Sequence, residues 1–325
     1  MGKSTVLRRI AADARGSVLD LDDVEVREAV VGNLAAVAGV RENLLEALRA
    51  DPDGAVGQIP TSETVRQDYV ERVCAGGLPL AVRRSGSARA RWFDDFVRAS
   101  VERDALELSR IRERQAMTDL LGLLAAQTGQ LVNLSATADK LGVSRATVDS
   151  HLRLLEDLFL VVRLPAWGKT LRSRVSAKPK VHVVDSGLAA RLLRLTPDKL
   201  AGLDPASLTD FGHLLETFVV GEIRKQLSWL DEAVTVGHWR TSDGAEVDVV
   251  VEYDDGTVLA FEVKANERAP GSDFRGLAQL RDLLGPRFAG GIVLTTGSRS
   301  YTYADRLHVM PLDRLWTPVT SQASR

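Results

Sequence analysis

Along residues 246–264 apolar and charged side chains alternate with period two, interrupted once by Asp254-Asp255-Gly256. Such alternation predicts two strands, and the acidic-glycine cluster between them predicts a hairpin turn. Val247, Val249 and Val251 form one apolar row; Leu259, Phe261 and Val263 form another. Burying both rows in one core requires Val249 to face Phe261, because a slip of one residue would turn a whole row to water. That register predicts a three-residue loop with Gly256 in the left-handed conformation. It also sets Asp248 opposite Glu262 and Glu246 opposite Lys264, gathering Asp248, Glu262 and Lys264 on one face. A two-residue Asp-Gly turn would give the other register and scatter them.

Two facing carboxylates with a lysine two residues beyond the second suit phosphodiester hydrolysis. Asp248 and Glu262 can hold Mg²⁺, a hard cation that prefers oxygen ligands. The Lys264 ammonium would steady developing charge or orient the attacking water. An ordinary hairpin, apolar inside and charged outside, has the same pattern. Helical spacing in Leu214–Ile223 brings Glu216 within reach of the strand ends, and a second helical stretch opens at Gly276 and carries Gln279. A strand is expected at Val234–Arg240 and a buried one at Gly291–Thr295. The order helix, strand, hairpin, helix, strand, with Glu216, Asp248, Glu262-Val263-Lys264 and Gln279 in matching places, resembles the PD-(D/E)XK nucleases. Val247 stands where proline often precedes the aspartate.

Between residues 61 and 115 the spacing is helical. Trp92, Phe93, Phe96, Val97 and Val101 recur at steps of three and four and predict one buried stripe, and Gly76-Gly77-Leu78-Pro79 divides the run. Asn133–Val148 has the spacing of a helix-turn-helix: Ala138 small at the crossing, Gly142 in the turn, Ser144 as cap, Val148 and Leu152 inward. Arg145, Thr147, Ser150 and His151 then face outward from the recognition helix, where DNA is contacted. Leu158–Leu164 and Lys180–Val184 are candidate wing strands. Between them Arg163, Lys169, Arg172, Arg174, Lys178 and Lys180 form a stretch without acids, suited to phosphate contact. Winged helices also serve as protein-binding or lid modules.

Charge and composition narrow the partners. Lys+Arg 42 against Asp+Glu 44 in 325 residues leaves no global field, so DNA binding must come from local patches. A lone cysteine, Cys74, excludes a disulfide framework and a cysteine-based zinc site, and fits a reducing compartment. No apolar run reaches membrane-spanning length and no signal-peptide stretch opens the chain, so a cytoplasmic protein that engages no membrane is expected. DNA is the expected partner; a protein partner or a homo-oligomer stays open.

Gly2-Lys3-Ser4-Thr5 reads as the last third of a Walker A loop running into its helix, and Val18–Asp23 as a strand ending in acids. The glycine-rich phosphate cradle and a Walker B strand are missing. With Leu141-Gly142-Val143-Ser144, Lys180–Leu188, Leu215-Glu216-Thr217-Phe218, Gly244–Asp248 and Glu262–Ala265, the chain resembles a prokaryotic family of AAA-type ATPases. These carry a winged helix and a C-terminal domain of unknown function similar to PD-(D/E)XK nucleases. The resemblance implies ATP at Gly2, Lys3, Ser4 and Thr5, which the absent cradle argues against, and Mg²⁺ at Asp248 and Glu262. The expected fold is α/β in the broad α+β sense. It comprises a truncated P-loop remnant (1–55), a helical region (56–115), a winged helix-turn-helix (116–185), a nuclease-like domain (186–318) and a tail (319–325).

Overall fold

Helical spacing gives helices through the first part of the chain and period-two spacing gives strands near its end, as a computed structural model shows for residues 43–105, 111–168, 178–230 and 232–316. Gly2, Lys3, Ser4, Thr5, the strand expected at 18–23, and Lys169, Arg172 and Arg174 lie outside the described residues. The helices α1 (Leu44–Ala50), α2 (Pro52–Gly57), α3 (Arg66–Ala75), α4 (Pro79–Val82) and α5 (Gly86–Ala105) come first. In α5, Phe93, Val97 and Val101 are buried, and half-buried Trp92 stacks on Phe96 with ring centroids 5.3 Å apart.

Next come α6 (Ile111–Ala126), β1 (Gln130–Leu131), α7 (Leu134–Leu141), α8 (Arg145–Asp157), β2 (Val161–Leu164) and β3 (Lys180–Val183). The local signals act as expected. Gly142 takes φ +65° at the turn, Ser144 Oγ accepts from Thr147 N at 3.0 Å, and Ala138, Val148 and Leu152 are buried. The three strands pair in the order β1-β3-β2, with Leu164 opposite Lys180.

After α9 (Ser186–Leu192), α10 (Pro197–Leu200) and α11 (Pro205–Leu227) come β4 (Val234–Arg240), β5 (Glu246–Tyr253), β6 (Val258–Lys264), α12 (Arg275–Leu284), β7 (Phe288–Thr295), β8 (Tyr301–Ala304) and β9 (Leu307–Pro311). The second sheet has the order β4-β5-β6-β7-β9-β8, antiparallel except for the parallel pairs β6–β7 and β7–β9. Val249 pairs with Phe261, and Gly256 (φ +80°) closes the loop with its N–H on Tyr253 O at 2.8 Å. The register required by the apolar rows is the register observed.

Two expectations about this sheet need correction. It is buried on both faces, as strands in a parallel centre are. Val249, Val251, Leu259, Phe261, Ile292 and Leu294 join the core that holds α11, while Val247, Val250, Val258, Ala260 and Val293 pack with Leu277 and Leu280 of α12. Val247 thus leaves the row of Val249 and Val251. The cause is a β-bulge: Gly237 pairs with Val250 and Trp239 with Val247, so Asp248 and Val249 together oppose His238. Bulges re-aim side chains beside functional sites. The ladder between β5 and β6 also ends at Val249–Phe261, so the further pairs Asp248–Glu262 and Glu246–Lys264 do not form. Asp248 Oδ2 instead accepts the Val263 N–H at 2.9 Å.

The expected domain boundaries are crossed by packing. Residues 44–55 pack against the C-terminal sheet: Arg49 lies 4.2 Å from the Tyr253 ring centroid, and Leu44, Leu45 and Leu48 join its core. Asp185 caps α9 through Leu188 N at 2.9 Å and also accepts from Gly77 N at 2.6 Å, so the division at 185/186 is bridged to the Gly76-Gly77 loop. The segment after β2 is joined to the second sheet as well. Pro165–Trp167 runs beside β4, with His238 N on Pro165 O at 2.9 Å and Trp167 N on His238 O at 2.6 Å.

Gly276, in the first turn of α12, lets the helix rest on β5; a methyl there would overlap the Glu246 carbonyl oxygen, which is backbone and has little freedom to move. Gly276→Ala is expected to lower stability by about 3 kcal/mol. A guanidinium melt checks this, and a change below about 0.5 kcal/mol would show that the approach is not tight.

Candidate functional site

A cavity of about 880 Å³ opens where β3, α11, β5, β6 and the start of α12 meet. Its walls include Lys180, Glu216, Glu246, Asp248, Glu262 and Lys264. The sequence-derived Asp248, Glu262, Lys264 and Glu216 are therefore brought together. Gln279 is not among the lining residues; one turn further along α12, its side chain bonds Asp243.

Strand β3 brings in a member that the sequence did not reveal. Lys180 Nζ lies 2.8 Å from Glu216 Oε1, 2.7 Å from Glu246 Oε1 and 2.9 Å from Asp248 Oδ1, with its side chain 3% exposed. The ammonium donates to Glu216 and Asp248 and ion-pairs with Glu246, so three carboxylates surround it. Lys264 Nζ makes a separate pair with Glu262 Oε1 at 2.7 Å. Glu262 Oε2 is buried and has no hydrogen-bond partner. Arg240, opposite Glu246 on β4, completes the charged wall at 3.5 Å.

The electrostatics follow from burial and from this pairing. Burial opposes charge on Glu216 and the neighbouring Asp248 adds repulsion, which pushes the Glu216 carboxyl up to about 8. Glu262 is raised well above the carboxylate range by burial and by Asp248. For Asp248, Lys180 and the Val263 N–H overcome the burial that opposes ionisation and hold it below its usual value. Lys180 resists burial and is raised, because Asp248, Glu216 and Glu246 all favour its charged form. The negative charge is thus concentrated on Asp248, with Lys180 as its counter-ion.

Behind this cluster His182 Nδ1 lies 3.1 Å from Thr217 Oγ1, which is 2.8 Å from Thr128 Oγ1. Burial, with Lys180 nearby, pulls the His182 imidazole down to about 3. His182 is therefore neutral in the folded chain and takes a proton only on unfolding, so acid favours the unfolded state. Between pH 7 and 5.5 this one group is expected to remove about 1 kcal/mol of stability, with the loss continuing toward pH 3. Urea midpoints across that range check it: His182→Gln flattens the dependence, and an unchanged slope would contradict the assignment.

The DNA-facing candidates fall into two groups. On α8, Arg145 and Ser150 are exposed, His151 is half-buried, and half-buried Thr147 has its hydroxyl 2.8 Å from Ser144 Oγ. The basic stretch does not form a phosphate surface at its ends. Arg163 forks onto Glu156, and Lys180 is turned into the carboxylates, because β3 docks against the second sheet instead of projecting as a free wing. A lysine opening the apolar run Val181-His182-Val183 was the available signal that a partner waits in the interior.

Among the described residues no group of three His, Cys, Asp or Glu side chains is arranged to hold a metal ion. Three of the cavity's carboxylates close on Lys180, and Glu262 turns one oxygen to Lys264. The donor chemistry of Asp248 and Glu262 still fits a hard divalent cation, since Glu262 Oε2 is a buried oxygen with nothing to satisfy it.

Residues 66–199 match the model of a domain of unknown function (DUF8612), and residues 211–315 that of a second domain of unknown function (DUF4143). Neither description names an ATPase or a nuclease. Uncharacterized proteins of Mycobacterium tuberculosis and Mycobacterium bovis are each 28% identical over 243 residues, 74% of this chain and 52% of the relative. The chain thus spans about half the length of the curated relatives it matches. A crystal structure of a Vibrio cholerae protein covers 77% of this chain and 58% of its own at 13% identity, with a TM-score of 0.25 that carries no argument. No helix among the described residues is long and apolar enough to cross a membrane.

Proposed function

We propose that this chain hydrolyses phosphodiester bonds in DNA, with Asp248 and Glu262 holding a divalent cation and Lys264 beside them. The observation that carries the reading is the convergence of these three side chains on one open cavity, with Glu262 Oε2 buried and unpartnered. Bound there, Mg²⁺ would polarise a phosphate and activate a water. Lys264, whose charge Glu262 favours, supplies a fixed cation at the cavity wall for phosphate oxygens. Burial and the neighbouring Asp248 raise the Glu216 carboxyl while Lys180 holds Asp248 low, which favours Asp248 as the ionised partner of Lys180. The exposed Arg145 and Ser150 at the front of α8 are suited to positioning the duplex. The test is cleavage of duplex, single-stranded and branched DNA with Mg²⁺ or Mn²⁺ and with chelator. Metal-dependent cleavage of at least one form is expected; no cleavage of any form, or cleavage unaffected by chelator, overturns the reading.

A second reading is favoured by one observation: the Lys180 ammonium is already surrounded by three protein carboxylates. In that case the cavity is a structural ion cluster, and the chain binds DNA without cutting it. Salt-sensitive DNA binding with no hydrolysis at any metal concentration is its signature.

A further inference from the structure

Lys180 belongs to the winged-helix sheet, yet its charged end lies inside the carboxylate cluster of the second sheet. Its two hydrogen bonds, to Glu216 and Asp248, and its 2.7 Å ion pair with Glu246 turn the ammonium toward three carboxylates at once. A divalent ion held by Asp248 would have to share that carboxylate with an ammonium already bonded to it, and two cations at such a distance repel strongly when buried. Glu262 Oε2, a buried oxygen without a hydrogen-bond partner, belongs to the same cavity, as does Asp273 Oδ2. We propose that Lys180 is the residue that sets cation occupancy of this site, a built-in monovalent cation that keeps a divalent one out until β3 draws it away.

The proposal rests on reading Asp248 and Glu262 as a cation site. It adds a lever, because Lys180 pairs with Leu164 of β2, and β2 continues directly into Pro165–Trp167, hydrogen-bonded to β4. A ligand that shifts the winged helix therefore shifts the ammonium. Lys180 is a positioning residue in this role; it sets which cation Asp248 and Glu216 face.

The test is a calorimetric titration of the full chain with Mn²⁺ alone, without DNA. Lys180→Met is expected to bind Mn²⁺ at least about tenfold more tightly than the wild type, and Mn²⁺ to raise its melting temperature while leaving that of the wild type unmoved. Equal or weaker binding by the variant overturns the proposal. If Lys180→Met does not fold without metal, Lys180→Gln gives the same comparison; micromolar Mn²⁺ affinity in the wild type overturns the proposal whichever variant folds. A purely structural role for Lys180 predicts lost stability with no gain in metal affinity. Because DNA is absent from the titration, a chain that never cleaves leaves this result standing. A wild type that cleaves, yet binds Mn²⁺ as tightly as the variant, retains hydrolysis and removes the role of Lys180.

Discussion

Lys180→Ala, measured by urea unfolding without metal, is expected to lower the free energy of unfolding by about 3–5 kcal/mol. The magnitude comes from what the truncation leaves behind. Asp248 is ionised and its side chain only 9% exposed, and it would lose its counter-ion while Glu246 and Glu216 stay nearby. Breaking a buried pair from one side leaves an uncompensated charge, which outweighs the Coulomb energy lost. Protonation of Glu216, raised to about 8, limits the loss and does not abolish it. Arg275→Ala is the internal contrast, since the Arg275–Asp243 pair is 55% and 56% exposed. Exposed pairs contribute about 0–1 kcal/mol, so that variant should be nearly neutral. A Lys180→Ala effect no larger than that of Arg275→Ala would mean that water reaches the cluster.

Lys264→Ala is expected to reduce metal-dependent cleavage by about 100-fold or more while folding survives. Lys264 lines the cavity and, among the described residues, forms an ion pair with Glu262. When the ammonium is removed, Glu262 can take a proton, because burial and Asp248 have already raised its carboxyl well above the usual range. The stability loss is therefore small, and activity and stability separate. Cleavage rates measured beside a urea melt of the same preparation check both parts. A rate unchanged by the substitution removes Lys264 from the reaction; a rate that falls only in step with the folded fraction makes it structural.

Much of this site was legible because it is local. The hairpin register follows from burial of Val249 and Phe261 and from Gly256, which alone suits the left-handed end of the loop. The helix-turn-helix follows from Gly142 and Ser144, whose roles are set within four residues of chain. What was not legible depends on contacts between distant segments. The bulge that takes Val247 out of the Val249 row arises from pairing with β4 and leaves no trace in the alternation of β5 itself. Lys180 reads as wing charge until its strand is seen docked 68 residues away from Asp248. Burial of the second sheet face by α12 was likewise hidden, because Ala260 and Val258 look the same whether they face a helix or water.

The most direct measurement is anomalous diffraction at the manganese edge from Lys180→Met crystals soaked in Mn²⁺. A single peak in the cavity between the Asp248 and Glu262 carboxylates, with no such peak in wild-type crystals soaked alike, is the expected result. Manganese bound equally in both, or bound elsewhere with those carboxylates turned away from each other, would contradict a cation site closed by Lys180.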